Sequence, residues 1–266
     1  MEQPEDETLV GAAAARLYGD GQDIWDPKDR WNSRKREAID NFARRFAAHQ
    51  LSRASVILDL GCGSQPYEWL PDHTIGLDRF WEQARHHSVP VVGDLRRLPF
   101  QTASADYVVC VASVLNYVPA AEAIFEMSRV LRPGGAVLLH FETSTSFEHL
   151  GSKLWGAPVV RIVTVNGGRE DTLWVYRPSY IRALLQNSGF RLLRQRRFHI
   201  LSALALRLGL QQQQAAPFAA LDRLFVPASA FSDDVILIAE RVAGGCGEDA
   251  GGSQKRLESR PRQPSQ

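Results

Sequence analysis

The feature that most constrains the fold is an apolar, strand-like run that leads directly into two closely spaced glycines. Val56 to Leu60 is followed by Gly61 and Gly63. Because glycine has no Cβ, the backbone can turn sharply there and approach a ligand closely. A second apolar segment ends at Asp78, whose carboxylate is then placed to accept ribose hydroxyl groups. This combination predicts an α/β domain that binds a nucleoside.

The rest of the glycine loop indicates which nucleoside ligand the chain is expected to bind. Folds that bind a dinucleotide pyrophosphate have a third glycine where the helix opens, and this chain has Pro66 there. The loop therefore argues against NAD and favours a ligand without a diphosphate, with S-adenosylmethionine as the first candidate. Pro66 and Pro71 also leave room for only a stunted first helix, from Tyr67 to Leu70.

Four segments in order resemble the class I S-adenosylmethionine-dependent methyltransferases. They are Leu58-Asp59-Leu60-Gly61-Cys62-Gly63, then Gly76-Leu77-Asp78, then Gly93-Asp94-Leu95 with Leu98-Pro99-Phe100, then Leu131-Arg132-Pro133-Gly134-Gly135. The resemblance covers residues 54–142 and extends more loosely to Val242. It implies a Rossmann-like, doubly wound α/β sheet of seven mostly parallel strands, with the last strand antiparallel and with cap insertions.

The apolar pattern predicts where the elements lie. Continuous apolar runs, typical of buried parallel strands, predict strands at about 55–60, 74–78, 90–93, 106–111 and 135–141. Two further strands, at 190–199 and 234–242, are expected to be antiparallel neighbours. Apolar residues at helical spacing predict a helix around residues 39–46, and Ser179 is expected to cap another that ends at Gly189. A hairpin is predicted to turn at 166–168.

The expected organisation is one domain with additions. A chain of 266 residues can bury a sizeable core as a single α/β unit. We expect an N-terminal arm or lid at 1–33 and the methyltransferase domain at 34–242. Cap insertions are expected at about 143–178 and 200–230, and a disordered tail at 243–266.

The composition of the chain limits the classes of binding partner and the cellular location that we expect. A formal net charge of +1 produces no overall field that would attract a nucleic acid. The three cysteines lack paired or metal-ligand spacing, which fits a reducing cytosol. An acidic N-terminus and the lack of a membrane-length apolar run predict a soluble, cytoplasmic protein. No metal and no membrane partner are expected, and the oligomeric state is left open.

The resemblance implies roles for the cofactor-binding residues. Asp94 would accept the adenine amino group, and Asp59 would help to hold the methionine ammonium group. Cys62 is expected to be a small loop residue without chemistry, since no basic partner lies beside it in the sequence. The complete expected set is Asp59, Gly61, Cys62, Gly63, Asp78, Arg79, Asp94, Leu95 and Ser113.

Candidates for catalysis and acceptor binding lie at the strand ends and in the arm. Methyl transfer requires orientation of the acceptor and, for some acceptors, removal of a proton. The catalytic candidates are His140, Glu142 and Tyr117. The candidates for acceptor contact are Tyr18, Trp25, Trp31, Asn116 and His149. Capping, pairing or packing is the alternative role for each of them.

These observations predict an enzyme that methylates an oxygen or nitrogen of a small molecule, with specialised metabolism as the expected context. Residues 113–117 lack the Asn/Asp-Pro-Pro-aromatic sequence typical of methylation of exocyclic base amines. Two alternatives stay open. One is a non-catalytic, methyltransferase-like scaffold subunit, and the other is a protein or RNA methyltransferase, for which we would expect an extended basic surface.

Overall fold

A seven-stranded sheet and a separate two-stranded hairpin form the β-structure. The computed structural model describes residues 4–19, 25, 26, 28–54, 56–166 and 169–242. The strands are β1 (Ile57–Leu60), β2 (Ile75–Asp78), β3 (Val89–Val92), β4 (Ala105–Cys110), β5 (Leu131–Glu142), β6 (Val159–Asn166), β7 (Arg169–Tyr176), β8 (Phe190–Phe198) and β9 (Asp234–Arg241).

The order of the large sheet is β3-β2-β1-β4-β5-β9-β8. The first five strands in this order are parallel, and β9 runs antiparallel to both β5 and β8. The predicted Rossmann-like sheet with an antiparallel last strand is therefore confirmed. The strand order reverses at β1 and β4, and ligands of such sheets bind beyond the carboxyl ends of the strands at this switch point.

Helices cover both faces of the sheet. The α-helices are α1 (Pro4–Tyr18), α2 (Arg30–Phe46), α3 (Ala48–Leu51), α4 (Trp81–Ala84), α5 (Ala120–Val130), α6 (Pro178–Asn187), α7 (Leu201–Arg207) and α8 (Gln212–Ala215). Short 3-10 helices span Val114–Tyr117, Phe147–His149, Ala216–Leu224 and Val226–Phe231. Ile124 of α5 and Ile181 of α6 belong to the core on one face, and Ile39 and Phe42 of α2 belong to the core on the other.

Two local expectations were wrong. No helix forms between β1 and β2, where Leu70 N–H donates to the Tyr67 carbonyl in a single turn at 2.9 Å. Pro71 has no backbone N–H and therefore cannot donate to the Tyr67 carbonyl, which would be the next bond of a helix. In addition, the N-cap of α6 is Arg177 rather than Ser179, because Pro178 takes the first helical position, for which its fixed φ is suited.

The predicted insertions lie over the carboxyl ends of the strands. β6 and β7 pair antiparallel, as the predicted hairpin requires, although Gly167 and Gly168 lie outside the described residues. A bridge between Thr143 and Tyr176 attaches this hairpin to the end of β5. Residues 200–230 form helical segments, and three of these segments contribute Ala205, Ala215 and Ala216 to one buried cluster with Trp31 of α2. The expected tail at 243–266 also lies outside the described residues.

A buried ion network joins α2 to the two strands that follow β4 in the sheet. Lys35 Nζ lies 2.5 Å from Glu142 Oε1 and 3.4 Å from Asp234 Oδ1. Asp234 also accepts hydrogen bonds from His140 Nε2 at 2.9 Å and from His199 Nδ1 at 2.7 Å. Burial alone would lower the pKa of Lys35, but Asp234 and Glu142 together raise it, so this lysine stays charged.

We expect Lys35→Met to lower the free energy of unfolding by about 3–5 kcal/mol, because it leaves two buried carboxylates without their cation. The matched control is Arg34→Met on the same helix, which removes only the exposed pair with Glu37 and should cost less than about 1 kcal/mol. Urea unfolding at pH 7 measures both, and equal losses would contradict a structural role for the network.

Candidate functional site

The loop after β1 turns through two glycines with left-handed backbone. Gly61 has φ +69° and Gly63 has φ +62°, a region that costs other residues free energy. A Cβ on Gly61 would clash with Cγ1 of Val114, whereas a Cβ on Gly63 would meet nothing within 4 Å. Gly61 therefore permits close packing, and Gly63 leaves open space. Both glycines line one cavity, which we call the glycine-loop cavity.

Asp78 lies in the glycine-loop cavity at the end of β2, as the sequence predicted. Its Oδ2 accepts from Gly63 N–H at 3.1 Å, and its Oδ1 accepts from Phe80 N–H at 3.0 Å. Burial raises the pKa of Asp78, although these backbone donors oppose the effect. The two hydrogen bonds hold the carboxylate in a fixed orientation toward the cavity.

Asp59 lies buried beneath the glycine loop. Burial, followed by the charge of Asp78, raises its pKa to about 7. Within the described residues, Asp59 Oδ2 and the hydroxyl of Tyr67 are buried and have no hydrogen-bond partner. Buried polar atoms without partners are costly. Tyr67 lines the glycine-loop cavity, whereas Asp59, predicted as a cofactor ligand, is not among its lining residues.

Sequence reasoning missed Tyr67, which lines the cavity, and Arg36, which packs over the Tyr67 ring without lining the cavity. The Arg36 guanidinium lies 4.7 Å from the Tyr67 ring centroid and 5.0 Å from that of Trp25. Tyr67 and Trp25 both line the glycine-loop cavity. No local motif marks Arg36, which the packing of α2 brings to the loop; its Nη2 donates to the Pro66 carbonyl at 3.3 Å.

The expected adenine ligands lie along the rim. Arg79 and Leu95 line the glycine-loop cavity, and they also border a groove beside α1 that contains Asp94. Arg96 Nη2 lies 2.6 Å from Asp94 Oδ2, and this pairing lowers the pKa of the carboxyl group. Arg96 therefore already engages the Asp94 carboxylate, which an adenine amino group would have to share.

Cys62 also lines the glycine-loop cavity. Burial, followed by the nearby charges of Asp59 and Asp78, raises the pKa of its thiol well above the ordinary value. The thiol is therefore protonated and a poor nucleophile. This geometry fits the expectation that Cys62 contributes no covalent chemistry.

A second cavity adjoins the first and shares four of its lining residues. These are Tyr18, Trp25, Ala112 and Tyr117. We call this the polar cavity. Its other walls come from α2, the end of β5, the β6–β7 hairpin and residue 212, so both predicted insertions contribute to it. The lining of this second cavity also includes four more residues that the sequence analysis singled out, namely Trp31, Ser113, Glu142 and His149.

Tyr117 stands where the two cavities meet. Its hydroxyl donates to Asp171 Oδ2 at 2.5 Å and lies 2.9 Å from the hydroxyl of Tyr18. The Tyr18 and Tyr117 rings pack edge to face with centroids 5.5 Å apart. Asp171, on β7, was missed by sequence reasoning because it lies in the hairpin and belongs to no motif. This chain of hydroxyl and carboxylate groups could carry a proton.

The corner after β4 is strained and is held by β5. Ala112 and Ser113 have φ +60° and +63°, a left-handed region that residues other than glycine seldom adopt. Ser113 N–H donates to His140 Nδ1 at 2.9 Å, and Ser113 Oγ donates to Glu142 Oε1 at 2.7 Å. These two bonds stabilise the corner that separates the cavities.

His140 lines neither cavity. It is fully buried, and since Nδ1 accepts from Ser113, the proton lies on Nε2 and is donated to Asp234. Burial lowers its pKa, so the ring is neutral. Asn116 is fully buried as well, and its amide bonds the backbone of Glu142 and Trp174. Neither side chain has the access to a ligand that the sequence suggested.

His149 does face the polar cavity. Its side chain is 7% exposed, and within the described residues its ring makes no hydrogen bond. Burial lowers its pKa, although Glu142 opposes the effect, so the imidazole is neutral at pH 7. A neutral imidazole with available nitrogen atoms can accept a proton from a bound molecule.

One buried group has metal-compatible spacing within the described residues. The ligand atoms of His199, Asp233 and Asp234 lie within 4.8 Å of one another. However, Asp234 already accepts hydrogen bonds from His140 and His199, and it lies 3.4 Å from the ammonium group of Lys35. A metal ion there would face the lysine charge at close range, which disfavours binding.

None of the helices within the described ranges has the length and apolar character needed to span a membrane.

The fold and the glycine loop define an α/β domain with a ligand cavity at its switch point, and comparison with known proteins specifies the class. Residues 58–139 match the methyltransferase domain family. The Encephalitozoon cuniculi protein named "Putative methyltransferase ECU09_1500" is 30% identical over 183 residues, which cover 64% of this chain and 86% of that protein.

Solved structures share the fold at low identity. The 1,6-didemethyltoxoflavin-N1-methyltransferase of Burkholderia thailandensis aligns with a TM-score of 0.54 at 15% identity, covering 91% of this chain and 92% of that one. The PH0226 protein of Pyrococcus horikoshii has a TM-score of 0.54 at 14% identity, covering 85% and 97%. The chain belongs to the class I S-adenosylmethionine-dependent methyltransferases.

The raised pKa of Asp59 predicts a pH-dependent stability. Between its ordinary value near 3.8 and its folded value near 7, the folded chain keeps a proton that the unfolded chain has lost. Stability therefore falls as the pH rises through this window. The free energy of unfolding of Asp59→Asn relative to that of the wild type should therefore rise by up to about 4 kcal/mol between about pH 4 and pH 7. Above pH 7 this difference should stay constant.

Urea unfolding across this pH range measures the difference. The control is Asp72→Asn, which changes an exposed carboxylate in the loop before β2 and should show no comparable trend. If the free energies of unfolding of the wild type and Asp59→Asn differ by the same amount at all pH values, the raised pKa of Asp59 is contradicted.

Proposed function

We propose that this enzyme methylates an oxygen or nitrogen atom of a small-molecule acceptor. The observation that carries the proposal is the junction of the two cavities at Tyr18 and Tyr117. The glycine-loop cavity has the open space and the carboxylate that a nucleoside cofactor needs. The polar cavity beside it is bounded by α2, the hairpin and the 200–230 insertion, which favours a small molecule over a macromolecular acceptor.

The residues of the glycine-loop cavity fit S-adenosylmethionine. Asp78 would accept the ribose hydroxyls, Gly63 leaves the space for close approach, and Leu95 and Arg79 would border the adenine. Tyr67, whose hydroxyl is unpartnered, lines this cavity and suits the charged methionine end, and the buried Asp59 would act on that end only indirectly, through the loop backbone or water. The bound cofactor supplies an electrophilic methyl group on its sulfonium. We assign Asp94 to the rim, where it orients Arg96, rather than to direct adenine binding.

We assign the N-terminal arm and the insertions to enclosure of the site. Tyr18 lies at the end of α1 and lines both cavities, so α1 acts as a lid over the junction. The β6–β7 hairpin contributes Asp171, and the second insertion contributes Gln212. These walls exclude water from the junction and orient the acceptor, which is the main requirement of an in-line displacement.

His149 is our candidate for the general base, with Tyr117 as the group that orients the reacting atom. His149 is neutral and faces the polar cavity, whereas His140 faces no cavity and holds the strained corner through Ser113. Glu142 is held by Lys35 and Ser113, so we assign it to binding and positioning. His140 is accordingly a positioning residue.

Gly63→Ala should reduce the affinity for S-adenosylhomocysteine at least about 10-fold, because a methyl group would enter the space left for the cofactor. The matched control is Gly134→Ala, since Gly134 also has a left-handed backbone and an open Cβ position but lines neither cavity. Both variants should lose about 1 kcal/mol of stability. Calorimetric titration measures the affinity, and equal affinities for the two variants would contradict the assigned cofactor position.

His149→Ala should lower kcat about 100-fold or more with an accepted substrate while leaving S-adenosylhomocysteine affinity unchanged. In the wild type, turnover should fall as the pH drops below the ordinary histidine range near 6.5, because burial lowers the pKa of His149. His140→Ala should instead lower the free energy of unfolding. Unchanged turnover in His149→Ala would exclude it as the base.

A further inference from the structure

The polar cavity has an unusual charge balance. Carboxylates from four different segments line it, namely Glu142, Glu148, Asp171 and Asp233. Among its described lining residues, Lys35 is the one permanently charged cation. His149 also lines the cavity but is neutral, because burial lowers its pKa. Acidic side chains therefore outnumber cationic ones in the lining of this cavity.

Lys35 does not neutralise the rest of the cavity. Its ammonium group lies 2.5 Å from Glu142 and 3.4 Å from Asp234, so its charge is compensated by these two carboxylates. Asp171 is engaged by the hydroxyl of Tyr117 at 2.5 Å. The remaining acidic groups are Asp233 and Glu148.

Asp233 is a buried carboxylate directed at the cavity. The residue is 7% exposed, and within the described part of the chain its side chain makes no hydrogen bond or ion pair. Burial and the charge of Asp234 raise the pKa of Asp233. A buried carboxyl group without a partner avoids the cost of its charge by keeping its proton, and a cation that entered the cavity would favour the charged form.

Aromatic faces accompany these carboxylates. Trp31 and Trp25 both line the polar cavity. The Trp31 ring packs against His199 with centroids 4.3 Å apart, which holds it in place. Tryptophan attracts an alkylammonium group more strongly than the other aromatic residues do. A carboxylate beside an aromatic face is suited to recognise an amine.

We propose that the acceptor carries a protonated amine, which Asp233 and Glu148 bind beside Trp31. Asp233, Glu148 and Trp31 line only the polar cavity, whereas Tyr18 and Tyr117 line both cavities. The amine is therefore a recognition group, and a different atom of the acceptor lies at the junction. This inference rests on the proposed function, since it identifies the acceptor class of that site.

The test uses matched probes of the full-length enzyme saturated with S-adenosylhomocysteine. Tryptamine and tyramine carry an ammonium group, and tryptophol and tyrosol carry a hydroxyl group in its place. We expect each amine to bind at least about 10-fold more tightly than its neutral partner by calorimetry. Asp233→Asn should abolish this preference, and Glu148→Gln should reduce it.

Two controls separate charge recognition from loss of structure. Glu148 is exposed, so Glu148→Gln should keep the wild-type thermal stability even if Asp233→Asn does not. Glu122→Gln changes an exposed acid of α5 that does not line the cavity, and it should keep the full preference. A preference retained in both Asp233→Asn and Glu148→Gln would overturn the proposal.

The remaining outcomes are also decisive. If neither amine binds more tightly than its neutral partner, the proposal is wrong. It is equally wrong if MgCl2 binds in an Asp233-dependent manner while the amines show no preference, because the cation site would then serve a metal ion. Failure of S-adenosylhomocysteine to bind would instead refute the proposed function, so the two failures are distinguishable.

Discussion

The buried charge of Lys35 is the constraint on which the ligand-binding end of this molecule depends. An ammonium group removed from water is tolerated only when carboxylates lie within ion-pairing distance. Its partners are Glu142 at the end of β5 and Asp234 at the start of β9. The helix ahead of the first strand and the last strand of the chain must therefore assemble together before this end of the sheet is complete. Because β9 lies between β5 and β8, this end of the sheet is complete only when β9 is in place.

The same network determines the shape of the boundary between the two cavities. Asp234 accepts the His140 Nε2 proton, and His140 Nδ1 accepts from Ser113, so the strained backbone at Ala112 and Ser113 is held from below. Strain of this kind persists only where the surrounding structure over-determines it. The corner begins the 3-10 helix that ends in Tyr117, which places that hydroxyl at the junction of the cavities. The buried ion network is thus linked, through the strained backbone, to the position of Tyr117 at the junction of the cavities.

The two cavities differ in how far the sequence predicts them. Gly61, Gly63 and Asp78 line one cavity, as we expected, because strand–loop geometry at a sheet edge is local and follows from an apolar run and glycine. The lining of the polar cavity was harder to anticipate from the sequence. His140 lies near the end of β5, and His149 lies shortly after it. Asp234 and Phe198 cover His140, whereas His149 faces the polar cavity. Asp171 and Asp233 belong to no motif, so no pattern in the sequence marked them.

By itself, the sequence located the strands and the glycine loop, because buried strands are read directly from apolar runs and turns from glycine and proline. The resemblance of its motifs to class I methyltransferases implied the doubly wound sheet with an antiparallel last strand. Only the tertiary structure decided which polar side chains face a cavity. Some polar side chains already form hydrogen bonds within the protein: Asn116 bonds the backbone, and His140 bonds Asp234. In contrast, His149 and Asp233 line the polar cavity. The physical reason is that the availability of a polar group depends on its partners, and these partners come from segments far apart in the chain.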